Sequence, residues 1–392
     1  LLAGCVAVSK KPDLEALYST AYMNETGAPL IVKDMVITGN SGGEFGVVGA
    51  VQARSVDTGE LVWERPVIEG HTGTLKGQPN GMTGKLNATW TGDLWKTGGG
   101  ATWLGGTYDP GTNLVYFGTG NPGPWNSNLR PGDNLYTDSI VSVDLNTGAY
   151  KWHYQYVAHD VWDLDAVSPP ILTEAKGKDG KMTKVAIHAG KTGHVYVHDR
   201  NTGALIRFSE AMVPQDGLWT LPTKEGAKMM LGANGGVEWS PMAIHPEARL
   251  AYAANLLQPM TYHVEASKYP GGKLWLGGAF KTIPSEKQSG RLSAVNIDTG
   301  KVAWKFDTEQ PLIGGVLATA GDLVFNGEAN GLFRAFDAKN GKKLWEYQTG
   351  AGVNAPAVSY SVGGKQYVAV ASGGNNQIDA KRGNSVVVFA LP

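Results

Sequence analysis

The chain has 392 residues, of which 54 are Gly and 20 are Pro, so roughly one residue in five favours turns against a usual share of about one in eight, which argues against a helical protein. Its 34 Lys and Arg face 35 Asp and Glu for a formal net charge of -1, and this removes the basic footprint expected of a nucleic-acid or anionic-membrane binder. The 42% hydrophobic content, with 12 Trp and 15 Tyr, excludes disorder, and no apolar stretch approaches the ~20 residues of a spanning helix.

The sequence opens Leu1-Leu2-Ala3-Gly4-Cys5 without an initiator Met, which points to a processed protein or a fragment of a longer one. That opening is similar to the lipid-attachment box of bacterial lipoproteins, yet the charged start and most of the apolar region of such a signal are missing, so lipoprotein anchoring is not expected. Cys5 is the sole cysteine, which rules out an internal disulfide, a Cys-rich zinc module and a covalently attached c-type haem. Pro12 to Met23 carries a weak helical period, and the rest reads as short β runs: Ala101 to Tyr108, Leu114 to Phe117, Val185 to His188, His194 to His198, Leu250 to Ala254 and Gln366 to Ala371.

One pattern recurs between these runs. An acidic or polar turn closes on Gly, and four positions later a Trp usually follows. The copies are Val56 to Gly59 with Trp63, Asp144 to Gly148 with Trp152, Asp199 to Gly203 with Arg207, Asn296 to Gly300 with Trp304, and Asp337 to Gly341 with Trp345. An Asp or Asn that bonds its own backbone, closed by a Gly at positive φ, is hairpin chemistry. The five glycines are spaced by 89, 55, 97 and 41 residues, close to one or two multiples of the ~40–50 residues of a four-stranded propeller blade. The chain therefore reads as one all-β propeller domain over residues 1–392 with about six or seven blades. A Trp recurring in register is expected to dock each blade on the next, since ordinary cores do not repeat one residue type at one offset.

Gly118-Thr119-Gly120-Asn121-Pro122-Gly123 matches the dinucleotide fingerprint, but Pro122, Pro124 and Trp125 stand where the helix should open, so no nicotinamide site is expected. Oxygen-bearing side chains are the better lead. Glu44 lies in a Gly-rich turn, Asn121 in another, and Asp160, Asp163 and Asp165 in the run His159 to Asp165. Hard cations such as calcium take such ligands, whereas spacing alone favours solvated loops. No EF-hand loop, H-E-x-x-H motif or G-x-S-x-G elbow is present.

The segments Ser41 to Gly46, Trp95 to Trp103, Gly118 to Trp125, Arg130 to Tyr136 and His159 to Asp165 together resemble the quinoprotein alcohol dehydrogenases, in the same order and over nearly the whole chain from about Thr26. The resemblance implies an eight-bladed propeller with pyrroloquinoline quinone (PQQ) and one metal ion on its axis. Glu44 and Asn121 match the family's metal ligands, and Asp163 matches its ligand and catalytic base. Trp103 matches the indole that lies flat under the quinone. Thr26, Ser41, Gly42, Gly43, Lys191 and Asn255 fall where relatives hydrogen-bond the cofactor. Asp165 matches the extra anionic ligand that goes with a lanthanide, where calcium enzymes carry a small or neutral residue, so a lanthanide is favoured over calcium.

The same resemblance implies a small alcohol as substrate, a periplasmic cytochrome c as electron acceptor, and a bacterial periplasmic location. Three features depart from the family. The adjacent cysteine pair over the quinone has no counterpart, and the Glu44 turn arrives so early that the first blade or so is expected to be missing. Val48 also stands where relatives often carry Arg. The alternative function is a non-catalytic scaffold of the same repeats, like the lipoprotein of the outer-membrane assembly machinery. Such a scaffold has no reason to keep Glu44, Trp103, Asn121 and Asp163 in one chain.

Overall fold

The computed structural model describes residues 27–68 and 89–390, which form 26 strands and three short 3-10 turns, with no α-helix among the described residues. Thr26, Cys5 and the weakly helical Pro12 to Met23 lie outside the described residues.

Six sheets are antiparallel meanders. The first comprises β1 (Leu30–Val32), β2 (Met35–Gly39), β3 (Ala50–Ser55) and β4 (Leu61–Pro66). The second holds β5 (Thr107–Asp109), β6 (Leu114–Gly118), β7 (Ser139–Asp144) and β8 (Tyr150–Gln155). β9 (Ile171–Lys176), β10 (Met182–Ala189), β11 (Val195–Asp199) and β12 (Leu205–Phe208) make the third. In the fourth, β14 (Ala243–His245) and β15 (Leu250–Leu257) pair on to β18 (Ser289–Asn296) and β19 (Val302–Thr308). β20 (Leu317–Ala318), β21 (Leu323–Gly327), β22 (Leu332–Asp337) and β23 (Lys343–Gln348) form the fifth, and β24 (Val358–Val362), β25 (Lys365–Ser372) and β26 (Ser385–Ala390) a three-stranded sixth. These six blades agree with the six or seven expected from the repeat.

A seventh, three-stranded sheet is an insertion. β16 (Met260–Val264) and β17 (Gly278–Thr282) come from the segment joining β15 to β18, and β13 (Ala227–Met229) adds to β16 from the segment before β14. This small sheet packs Met229, Met260 and Tyr262 against Val157, Val161, Trp162 and Leu164. It thus caps the acidic run read from the sequence.

The repeat turns build the seams between blades. In the second to fifth copies a side-chain oxygen accepts two backbone N–H groups, as Asp199 Oδ1 does from Asn201 and Thr202, both at 2.9 Å. The indole Nε1 of one blade then donates to the residue after the turn's first Asp in the next blade: Trp63 to Leu145 O at 2.7 Å, Trp152 to Arg200 O at 3.0 Å and Trp304 to Ala338 O at 2.9 Å. Arg207 keeps the same bond, donating from Nη1 to Ile297 O at 3.0 Å. The ring lies against the turn's glycine so closely that a Cβ on Gly148, Gly203 or Gly341 would sit 2.4–2.5 Å from the indole. Glycine is needed there both for its positive φ and for its missing side chain.

The apolar cores follow the same seams. Val51, Ala53 and Trp63 of the first blade meet Val115, Val141 and Leu145 of the second. Val185, Val195 and Val197 of the third meet Ala251, Val295 and Ile297 of the fourth, while Tyr252, Leu292 and Trp304 meet Val324, Phe336 and Ala338 of the fifth. Val48 is half-buried against the first of these cores.

One expected strand needs correction. Only Thr107 and Tyr108 of the run Ala101 to Tyr108 are strand, in β5, which ends at Asp109. Positive φ at Gly99 and Gly100 turns the chain inward, and its backbone groups pair with loops instead of a ladder: Gly100 N donates to Asn121 O, Thr102 N to Asn40 O, and Gly120 N to Ala101 O. That departure brings Trp103 and Asn121 to the same end of the blades as Glu44.

Candidate active site

Glu44 sits on the 3-10 turn Gly43–Phe45, entered through Gly42 and left through Gly46, both at positive φ. The capping insertion fastens this turn: Trp275 N donates to Glu44 O at 2.7 Å and Tyr269 Oη to Phe45 O at 3.1 Å. Gly43 packs on Gly99, where even a Cβ would lie 3.3 Å from its Cα. The glycines of Ser41 to Gly46 therefore let two loops approach closely.

Asp163 and Asp165 project from a turn organised by Asp160. The Asp160 carboxylate accepts from Trp162 N and Leu164 N, both at 2.9 Å. The buried Arg130 guanidinium holds the same turn by donating to Asp160 O, to Pro124 O at 2.6 Å and to Asn134 Oδ1 at 2.6 Å. Asp163 is thereby fixed at φ +64, an uncommon backbone state that Asp tolerates better than most residues. Asp165 Oδ1 accepts from Asn121 N at 2.8 Å, which ties the Asn121 loop to the acidic turn.

Lys191 lies at the centre of the carboxylates. Its Nζ is 2.9 Å from Asp163 O, 3.1 Å from Asp163 Oδ2, 2.6 Å from Asp165 Oδ2 and 3.6 Å from Glu238 Oε1. Burial opposes its charge, but Asp163, Asp165 and Glu238 together hold the ammonium well above the ordinary lysine range. Burial pushes Asp163 up, Lys191 pulls it back, and the like charges of Asp165, Glu44 and Asp160 push it further. Glu44 is likewise raised, first by burial and then by Asp165. A carboxylate raised in this way is a stronger proton acceptor than one in water.

Two residues of this site carry no motif and escaped the sequence reading. Glu238 is buried, with Oε1 accepting from Gln377 Nε2 at 2.8 Å and Oε2 from Trp239 N at 2.5 Å. Gln377 comes from the loop between β25 and β26 and also donates to Asn234 Oδ1 at 2.6 Å. Trp239 stands edge-on to Trp103, with centroids 6.1 Å apart and planes at 66°. Asn255 lies one layer behind. Its Nδ2 donates to Gly236 O at 3.1 Å and its Oδ1 accepts from Ser293 Oγ at 2.5 Å, so its amide steadies the loop leading to Glu238. Thr26 cannot be placed, since it lies outside the described residues.

A cleft of about 590 Å³ opens beside Asp163, lined by Asn234, Met260, Phe280 and Gln377. Its apolar wall comes from the capping sheet, where Phe280 stacks on Trp125 at 4.9 Å. Among the described residues no three His, Cys, Asp or Glu side chains stand close enough together to hold a metal ion as they are. The Lys191 ammonium occupies the space between Asp163 and Asp165 instead. The donor chemistry nevertheless fits a hard cation: Glu44, Asp163 and Asp165 supply anionic oxygens and Asn121 an amide oxygen around one buried spot.

Comparison with known proteins agrees with the propeller fold. The family model described as "PQQ: Glucose/ethanol/alcohol dehydrogenase, beta-propeller domain" matches residues 3–218 and 290–368. Quinoprotein alcohol dehydrogenase PedH of Pseudomonas putida is 40% identical, over 94% of this chain and 68% of its own length. Methanol dehydrogenase [cytochrome c] subunit 1 of Methylorubrum extorquens is 35% identical, over 88% of this chain and 60% of its own length. Among solved structures, a europium-containing methanol dehydrogenase superposes with a TM-score of 0.83 at 33% identity, covering 90% of this chain and 66% of that one. The chain thus spans about two thirds of the length of these relatives. With a family model matching most of its length and relatives 35–40% identical over most of it, the chain belongs to the quinoprotein alcohol dehydrogenases, a family of oxidoreductases.

Proposed function

We propose that this chain oxidises a primary alcohol with PQQ and one metal ion, favouring a lanthanide over calcium, and passes the electrons to a cytochrome c in the bacterial periplasm. The observation that carries the reading is Asp163, a raised carboxylate that faces an apolar-walled cleft and is backed by Asp165 and Lys191. Asp163 takes the alcohol's hydroxyl proton as general base. Lys191 offsets the negative charge that develops next to it. Glu44, Asn121, Asp163 and Asp165 hold the metal, and Trp103 offers its indole face to the cofactor. Ser41, Gly42 and Gly43 bring backbone close to the cofactor's edge without side-chain bulk. When bound, the metal ion and PQQ supply the electrophile that accepts the hydride. Phe280 and Met260 exclude water from the carbon end of the substrate.

The test is to add PQQ with calcium or lanthanum to the purified chain, follow cofactor binding by absorbance, and assay alcohol-driven dye reduction. Turnover that requires PQQ, is faster with lanthanum and falls by about 10²-fold or more in Asp163→Asn is the expected result. Absence of PQQ binding with either metal, in this chain and in one extended at its N-terminus, would leave the scaffold reading standing.

A further inference from the structure

We propose that Glu238 is the counter-ion that receives Lys191 when the metal binds, and that this transfer sets the site's preference for a trivalent ion. The inference rests on the metal reading above and concerns residues outside the ligand set.

In the present structure Lys191 fills the gap between the two aspartates, with Nζ 2.6 Å from Asp165 Oδ2 and 3.1 Å from Asp163 Oδ2. A metal ion needs those same oxygens, so the ammonium must give them up. Its stem has little freedom, because a Cβ on Gly235 would lie 2.3 Å from Lys191 Cβ and 2.6 Å from its Cγ. Only the tip can move. Glu238 Oε1 already lies 3.6 Å away, and a shift of about 1 Å closes that gap to a charge-assisted hydrogen bond of ~2.8 Å. Glu238 itself is fixed: Gln377 and Trp239 N hold its two oxygens, and Ser168 Oγ donates to its backbone carbonyl at 2.8 Å.

Charge counting gives the consequence. Four carboxylates, Glu44, Asp163, Asp165 and Glu238, share the single ammonium of Lys191. With Lys191 on Glu238, three negative charges face the metal and a trivalent ion neutralises them. Without Glu238, the ammonium stays among the aspartates and two charges remain, which a divalent ion matches. The charge of PQQ is common to both cases. Glu238 thus acts on selectivity through Lys191 and is a positioning residue.

The test uses the full chain without PQQ and reads tryptophan-sensitised terbium luminescence, with calcium as competitor and the thermal unfolding midpoint as a folding control. Glu238→Gln keeps the shape of the side chain and is expected to weaken terbium binding about tenfold or more while calcium affinity changes less than about threefold. Lys191→Met alone is expected to tighten terbium binding. The double variant Lys191→Met/Glu238→Gln restores the count of three and is expected to return to within about threefold of the wild type. Unchanged terbium affinity in Glu238→Gln would overturn the proposal while leaving the metal reading intact. A loss that the double variant does not restore would also overturn it, because Glu238 would then be a direct ligand. A wild-type chain that binds neither ion would overturn the metal reading, and this inference with it.

Discussion

Trp304 and Trp345 occupy the same position of the same repeat and have opposite surroundings. Trp304 is 8% exposed, bonded to Ala338 O and pressed on Gly341. Trp345 is 38% exposed and rests edge-on against Phe333 and Phe389, with no turn among the described residues to dock on. The glycines show the mirror image: Gly341 carries the preceding blade's indole, whereas Gly59 has nothing within 4 Å. The outer strands follow suit, since every residue of β23 and β24 is exposed. The stability of a seam is therefore a property of two blades, and the repeat residue supplies only half of it.

The largest effect that sharpens this comparison is acid sensitivity of the interior. His188 stacks on Tyr156 at 4.7 Å, and His198 accepts or donates at 3.0 Å with the Tyr156 hydroxyl, both at the seam of the second and third blades. His153 lies edge-on to Tyr136. Burial lowers these histidines to about 3 for His188 and about 4 for His198 and His153. Below the unfolded value of about 6.5 the unfolded chain gains protons that the folded chain refuses, so stability is full above that pH and declines as pH falls towards 4. The slope approaches roughly 1.4 kcal/mol per pH unit for each histidine. Carboxylates raised by burial, such as Asp160 and Glu238, act in the opposite sense. The check is therefore the difference in urea midpoint between the wild type and His188→Asn from pH 7.5 to 4.5, and a difference that does not change with pH would mean that the seam opens to water.

Substituting the two tryptophans comes next. Trp304→Ala is expected to cost about 3–5 kcal/mol and Trp345→Ala less than about 1 kcal/mol, read as the shift in chemical denaturation. Equal costs would break the account of the seams. The smallest effect separates the two glycines. Gly341→Ala meets the Trp304 ring 2.5 Å away as well as φ +73, whereas Gly59→Ala meets only φ +72. Costs of about 3 and about 1 kcal/mol are expected by the same measurement.

The same contrast explains what was legible in the sequence. The repeat turns could be read because their chemistry is local: Asp144, Asp199, Asn296 and Asp337 bond backbone groups two and three residues on, and Gly closes each turn. Glu44, Asn121, Asp163 and Asp165 were legible through the family motifs around them, and the fold brings the two aspartates, Lys191 and the Asn121 loop within bonding distance. Glu238 and Gln377 were not, since they meet across 139 residues from loops without a recurring pattern. The capping sheet was hidden for a similar reason, because β13 has three residues and pairs with a strand from another insertion.

The most direct test of the central claim is a crystal structure of the chain loaded with PQQ and a lanthanide, with anomalous diffraction recorded at the metal's absorption edge. The account predicts one strong peak within about 2.3–2.6 Å of oxygens from Glu44, Asn121, Asp163 and Asp165, with the quinone against Trp103. A peak elsewhere, or none beside Asp163, would contradict it.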